Sequence, residues 1–226
     1  MGDPKAYFYD TISDQFDALS DQYDRTRRLE IVFDQFLRDI SLSGQSLLDV
    51  GCGTGAFSER AAARGAVVTS LDIGVRLLEH ARGRCATRPV AGDACRLPFS
   101  SGTFDAVISS ECIEHTINPR LAVREIHRVT RPGGVIVITV PNQRWHFAVA
   151  VANALNLRSF HGYENWMQWD ELQTELRAVG ARIEQMRGFH LVPPIVRAIR
   201  PMLRRLDAYG SSIGPLMLNL AVMARK

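Results

Sequence analysis

Glu111, Glu114 and His115 stand at positions i, i+3 and i+4, a spacing that puts three ligating side chains on one face of a helical turn. Two carboxylates and an imidazole so arranged could hold an octahedral divalent ion such as magnesium. Without an ion, His115 is the candidate general base, because imidazole titrates near neutral pH. The two uses exclude each other. A metal-bound His115 cannot accept a proton, and His146 or His161 would then be the candidate bases.

A second chemical cluster is Leu47-Leu48-Asp49-Val50-Gly51-Cys52-Gly53-Thr54-Gly55. Leu47 to Val50 predicts a short buried strand, the three glycines a tight turn at its carboxyl end, and residues 56–64 a helix. Glycines let backbone approach a ligand where a side chain would collide. Open α/β sheets bind ligands in such a crevice. Asp49, two residues before the first glycine, suits an ammonium group and would repel a pyrophosphate. Asp72 ends the next apolar strand, 66–71, where it can accept hydrogen bonds from a ribose diol. Gly51-x-Gly53-x-x-Ala56 also fits the relaxed dinucleotide pattern, so an NAD-dependent oxidoreductase is the competing reading. Taken together, the two acids describe a ribose with a positive amino-acid end, which is S-adenosylmethionine rather than NAD.

Five segments then occur in a familiar order: LLDVGCGTG at 47–55, LDI at 71–73, GDACRLPF at 92–99, FDAVISSECIEHT at 104–116 and RVTRPGGVIVITVPN at 128–142. The ordered set resembles the class I S-adenosylmethionine-dependent methyltransferases. The S-E-x-x-E-H run at 110–115 resembles the metal-binding segment of ubiquinone-pathway O-methyltransferases, which methylate a catechol-like hydroxyl on a polyprenylated ring. The resemblance implies cofactor contacts from Gly51, Cys52, Gly53, Gly55, Asp72, Ile73 and Ser110. It also implies that Asp93 accepts from the adenine amino group and that the Ala94 amide binds a ring nitrogen. Helices before the first strand are expected to form a lid over the cofactor, with Tyr23 nearby and Arg28 reaching the cofactor carboxylate as a bidentate pair. The implied reaction is in-line methyl transfer to an oxygen, nitrogen or carbon nucleophile. O-methylation of a phenolic or quinol-like hydroxyl leads. An amino sugar, lipid or other natural-product precursor is the alternative acceptor, and a cofactor-binding protein without catalysis is a third reading.

These residues need a scaffold. The pattern predicts one Rossmann-like domain over 1–226, a seven-stranded mostly parallel sheet with an antiparallel last strand and helices on both faces. Residues 1–43 are the lid helices, with an apolar stripe at Leu29, Val32, Phe33, Phe36, Leu37 and Ile40. Residues 44–141 are the cofactor-binding core, with Arg131-Pro132-Gly133-Gly134 read as the turn before strand five. Residues 142–168 form a cap insertion rich in aromatic and polar groups, suited to a greasy acceptor or a homodimer contact. Residues 169–226 complete the sheet, with Asp170 expected to cap a helix that Gly180 stops, and with a basic insertion at 190–206.

Bulk properties fit that frame. At 226 residues, 46% hydrophobic and 23% charged, the composition is that of a globular protein. Four cysteines without CxxC spacing indicate neither zinc nor a disulfide framework, so reduced thiols and a cytoplasmic location are expected. Residues 1–24 carry six aspartates and no apolar core, which argues against a signal peptide, and the apolar stretch 145–157 is too short to span a bilayer. A net charge of +3 does not point to nucleic acid. Five arginines and no acid between 186 and 206 make peripheral contact with an anionic membrane surface one use of that segment, and a solvated cap helix the other.

Overall fold

A computed structural model describes residue 13 and residues 21–147, 164–193 and 197–226. Seven strands form one sheet in the order β3-β2-β1-β4-β5-β7-β6. They are β1 (Ser46–Val50), β2 (Val67–Asp72), β3 (Thr87–Ala91), β4 (Phe104–Ser110), β5 (Thr130–Pro141), β6 (Arg182–Phe189) and β7 (Asn219–Arg225). The first five pair in parallel, and β7 runs antiparallel to both β5 and β6. The expected Rossmann-like fold with an antiparallel last strand is therefore observed.

The apolar runs are nearly continuous because both faces of the sheet are covered. Alternate residues serve opposite cores. Leu48, Val107, Ile136 and Ile138 pack on one side with Val123 and Ile126 of α4 (Pro119–Val129), and with Leu172 and Leu176 of α5 (Trp169–Ala178). Leu47, Ile108, Val135 and Val137 pack on the other with Phe57 and Ala61 of α2 (Ala56–Ala63), and with Ile31, Phe33 and Phe36. Since α2 and α4 lie on opposite faces, the crevice between β1 and β4 is where the winding reverses. A further helix, α3 (Val75–Arg84), packs against β2 and β3.

Three local expectations are corrected. Residues 131–134 are not a separate turn. They lie within β5, where pairing jumps from Phe104↔Thr130 to Ala106↔Val135 and Gly133 takes a left-handed φ of 76°. Such an irregularity places extra residues on one strand without ending it. Asp170 is not the cap of α5. Gln168 is, in a capping box with Glu171, so Asp170 falls in the first turn, where its charge favours the helix dipole. The apolar stripe after α1 (Gln22–Leu29) continues as a wider π-type turn over Glu30–Phe36, which adds Ile31 to the buried face and leaves Leu29 and Ile40 only partly covered.

Candidate active site

The carboxyl ends of β1 to β6 and the amino end of β7 share one edge of the sheet, and the predicted chemistry gathers there in two halves. In the first, β1 runs into Gly51, Gly53 and Gly55, with φ of 70°, 51° and 88°. A Cβ on Gly51 would overlap the side chain of Cys112, and one on Gly55 would lie 2.8 Å from Ala81 of α3. Side chains are thus excluded by conformation and by space. Asp72 closes the turn from β2, accepting from the amides of Gly53 at 2.8 Å and Gly74 at 3.0 Å. Ile73 follows it, partly buried. Asp93 is exposed and accepts from the Cys95 amide at 2.8 Å, with Ala94 buried behind it.

Asp49 is placed differently from the expectation. It lies behind the turn, 1% exposed, accepting from Ser58 Oγ at 2.7 Å. Ser58, Ser70 and Thr87 continue as a chain of hydroxyls at 2.6 Å spacing. Burial, reinforced by the nearby Asp72 charge, pushes the Asp49 carboxyl up to about 7. It braces the turn from beneath, and no ligand ammonium is needed to satisfy it. Burial also raises the Cys52 and Cys112 thiols well above their ordinary range, which keeps both protonated.

The second half begins where β4 ends. Ser110 Oγ shares a hydrogen bond with Thr139 Oγ1 at 2.9 Å, and Thr139 Oγ1 also lies 3.3 Å from Glu111 Oε1. Glu111 has φ +51°, left-handed and uncommon for a side chain of this kind. That conformation prevents a helix from starting there. Only Ile113–His115 forms a single tight turn, so Glu111, Glu114 and His115 do not share a helical face. Among the described residues, no three His, Cys, Asp or Glu side chains gather closely enough to hold a metal ion. The magnesium site expected from spacing is therefore not formed by this geometry.

What forms instead is a buried acidic cluster around an arginine. Glu114 is 1% exposed, and its Oε2 has no hydrogen-bond partner. His115 Nε2 lies 3.9 Å from Glu114 Oε1. Burial pushes both Glu111 and Glu114 up to about 8, and the Glu114 charge adds to the effect on Glu111. Arg28 pairs with Asp24 at 2.8 Å. Burial opposes the Arg28 charge, yet Asp24, Glu111 and Glu114 together hold its pKa above the ordinary value. Its Nε is buried without a hydrogen-bond partner.

Arg28 and Tyr23, expected at the cofactor, lie on α1 beside Asp24 and His190. The Tyr23 hydroxyl donates to the Arg200 carbonyl at 3.0 Å, and its ring stacks on His190 at 5.4 Å. His190, which sequence reasoning missed, follows β6 with φ +57°, and its Nε2 lies 3.2 Å from Asp24 Oδ1. Asp207 and Arg27 were missed as well. Arg27 Nε donates to Asp207 at 2.7 Å, and Asp207 also accepts from the His190 amide. These partners lie some 180 residues apart, beyond the reach of any local motif. Asp24 and Arg28 at i, i+4 were the one visible signal. His146 is exposed, set edge-on to Trp166 at 5.4 Å. His161 lies outside the described residues.

Three arginines of the basic segment are engaged within the chain. Arg200 pairs with Asp21 and Arg204 with Glu30, each at 2.8 Å, while Arg187 bonds Gln35 and the Asp207 carbonyl. Among the described residues no helix is long and apolar enough to cross a membrane.

A family model described as "Methyltransferase domain" matches residues 48–138, from β1 into β5. A curated ubiquinone biosynthesis O-methyltransferase from Bordetella pertussis is 33% identical over 165 residues, covering 68% of either chain. This chain belongs to the S-adenosylmethionine-dependent methyltransferases. A demethylmenaquinone methyltransferase from Clavibacter sepedonicus is 38% identical over 138 residues, 56% of each chain. Among solved structures, magnesium protoporphyrin IX methyltransferase from Synechocystis, with bound SAH, superposes with a TM-score of 0.70 at 15% identity, covering 97% of this chain and 96% of that one. At that identity the likeness concerns the fold. As in other members of the methyltransferase family, S-adenosylmethionine is the methyl donor, and the glycine turn with Asp72 beside it fits such a ligand.

Proposed function

We propose that this methyltransferase acts on a hydroxyl of a small phenolic or quinol-like acceptor. One observation carries the reading. At the end of β4, next to the cofactor turn, Glu114 Oε2 is a buried acceptor without a donor, and Arg28 Nε in the same cluster is a buried donor without an acceptor. Buried polar groups are nearly always paired, so the pair describes a missing partner. A hydroxyl answers both needs, accepting from Arg28 and donating to Glu114. The name of the Bordetella relative supports the same chemistry.

The donor supplies a methyl group already activated on a sulfonium. The chain's own residues hold and align. Gly51, Gly53, Asp72 and the Asp93–Ala94 corner would hold the donor, and Cys112 fixes the glycine turn against the segment that carries Glu111 and Glu114. Alignment of this kind can supply ~7–11 kcal/mol of a barrier. A phenol, with an ordinary pKa of about 10, must also lose its proton. Glu114, raised to about 8, is a base matched to that task, and His115 beside it can carry the proton towards solvent.

The same cluster favours a second reading. Three acids, Asp24, Glu111 and Glu114, face Arg28, so an amine acceptor would also find favourable charge. Methyl transfer to catechols, hydroxyquinols and matched amines, each with and without chelator, separates the two. Transfer to phenols that is indifferent to chelator is the expected result. Transfer confined to amines would replace the phenol reading.

A further inference from the structure

Residues 164–168 run between the ends of β4 and β5, outside any helix or named strand. One end of this strip is fastened to β5. Met167 is buried and bridges to Asn142, and its carbonyl accepts from the Gln143 amide at 3.1 Å. Asn142 is buried too, and its Nδ2 donates to the carbonyls of Pro215 and Met217 at 3.0 and 2.8 Å. Trp166 stands edge-on to His146, and Gln168 caps α5. The other end reaches the turn after β4. The Asn165 amide donates to the Glu114 carbonyl at 2.8 Å, and Asn165 Nδ2 donates to the Thr116 carbonyl at 2.7 Å.

That turn needs support from outside. Ile113–His115 is a single tight turn, with poorer hydrogen-bond geometry than an α-helix. Its own bonds run from the His115 amide to Cys112, and from the Thr116 amide and hydroxyl to Ile113. The carbonyls of Glu114 and Thr116 take no part in them. Both residues are buried, and buried carbonyls are nearly always paired. Asn165 supplies both donors, one from its backbone and one from its side chain.

We infer that Asn165 is a positioning residue for methyl transfer, clamping the turn on both sides of His115 and thereby fixing where the Glu114 carboxyl points. The strip is held at Met167 and by α5, so Asn165 is a fixed arm rather than a loose contact. A general base must lie within hydrogen-bond reach of the proton it takes, and small misplacements are costly. The inference rests on the reading of Glu114 as proton acceptor and adds to it a residue that acts through the backbone.

Asn165 is an exposed residue, so replacing it leaves no cavity and the variants are expected to fold. Asn165→Ala removes the side-chain donor and keeps the main-chain one. Hydrogen exchange read by NMR without acceptor should show the His115 and Thr116 amides opening at least ~5-fold faster, the order set by one lost hydrogen bond, with β1 and β4 unchanged. With a catechol as acceptor, turnover should fall ~10-fold or more at unchanged S-adenosylmethionine affinity. The same substitution added to Glu114→Gln should cost no further turnover, because a base that is gone cannot be misplaced. Asn165→Asp keeps the shape and loses the donor, so it should be impaired as Asn165→Ala is. Unchanged exchange at His115 and Thr116 would overturn the inference, as would an Asn165→Asp protein with wild-type turnover. An equal loss from Asn165→Ala in both backgrounds would also overturn it, while leaving Glu114 as the base. Full turnover by Glu114→Gln would instead end the reading of Glu114 itself, and the positioning role with it.

Discussion

The two halves of the active site are built in different ways. The cofactor half is local in sequence. One strand, three glycines and the acid ending the next strand make it, and Asp72 is satisfied by amides of the turns it closes. The half proposed to take the acceptor draws on α1, the end of β4, the end of β6 and the start of β7, and ion pairs across the length of the chain tie α1 to Asp207 and His190. In the first half charge meets backbone dipoles. In the second, carboxyls meet other carboxyls and the guanidiniums of Arg27 and Arg28, and burial drives Glu111 and Glu114 towards neutrality. Such a difference suits a donor that never changes and an acceptor that distinguishes one enzyme from its relatives.

The sharpest way to break this comparison is Glu114→Gln. If Glu114 is the proton acceptor, turnover falls ~10²–10⁴-fold, the usual worth of a general base, while cofactor affinity stays unchanged. Equal loss of both in a calorimetric and kinetic comparison would erase the division between halves. The variant also has a pH signature. Glu114 titrates at about 8 in the folded chain against an ordinary 4.5. Between those values the folded state holds more protons than the unfolded state. The stability contributed by the neutral carboxyl is therefore complete below 4.5 and is lost as pH rises through about 8. Turnover should rise as pH rises through about 8, and Glu114→Gln should remove that rise together with Glu114's share of the stability loss, leaving the share of Glu111, which burial also raises to about 8.

Arg27→Met tests whether the acceptor half depends on its long-range pairs. Asp207 is fully buried, and Arg27 is the cation that neutralises it. Removing one partner of a buried pair costs about 3–5 kcal/mol, chiefly through the charge left behind. Chemical denaturation should show a loss of that size. A loss below about 1 kcal/mol would mean that α1 is not fastened through Asp207.

The contrast also explains what the sequence could disclose. The mostly parallel sheet with its antiparallel last strand, the glycine turn and the helix after it were readable because they follow from short-range pattern, apolar runs and alternate glycines. The acceptor half was misread at the points where tertiary structure overrides local spacing. Glu111, Glu114 and His115 are spaced for a helix, but pairing of Ser110 with Thr139 extends β4 to the residue before Glu111, and the chain must then turn sharply at Glu111. The charges of Glu111 and Glu114 that act on Arg28 come from residues more than 80 positions away, beyond any local motif. His190 carried no motif, since a single histidine after a strand of mixed polarity looks like any loop residue.

Asp72→Ala sharpens the cofactor half. It removes the acceptor for the Gly53 and Gly74 amides and the group expected to meet the ribose. Loss of charge-assisted hydrogen bonds should weaken S-adenosylmethionine binding by about 1–3 kcal/mol, read by calorimetry. Unchanged cofactor affinity would remove Asp72 from the binding residues.

The smallest effect is expected at the rim. Arg204 pairs with Glu30 at 2.8 Å, but its side chain is 58% exposed. Water and salt screen such a pair, and its formation costs the freedom of two long side chains, so its worth is at most about 1 kcal/mol. Arg204→Ala should therefore shift thermal unfolding only slightly, and less in high salt than in low, and should leave both donor and acceptor kinetics intact. The interest lies in the comparison with Arg27, one turn from Glu30 on the same network. If the exposed arginine cost as much as the buried one, the basic segment would be fastening α1 through summed surface charge. The acceptor half would then owe its shape to Coulomb attraction at long range rather than to the buried Arg27–Asp207 contact.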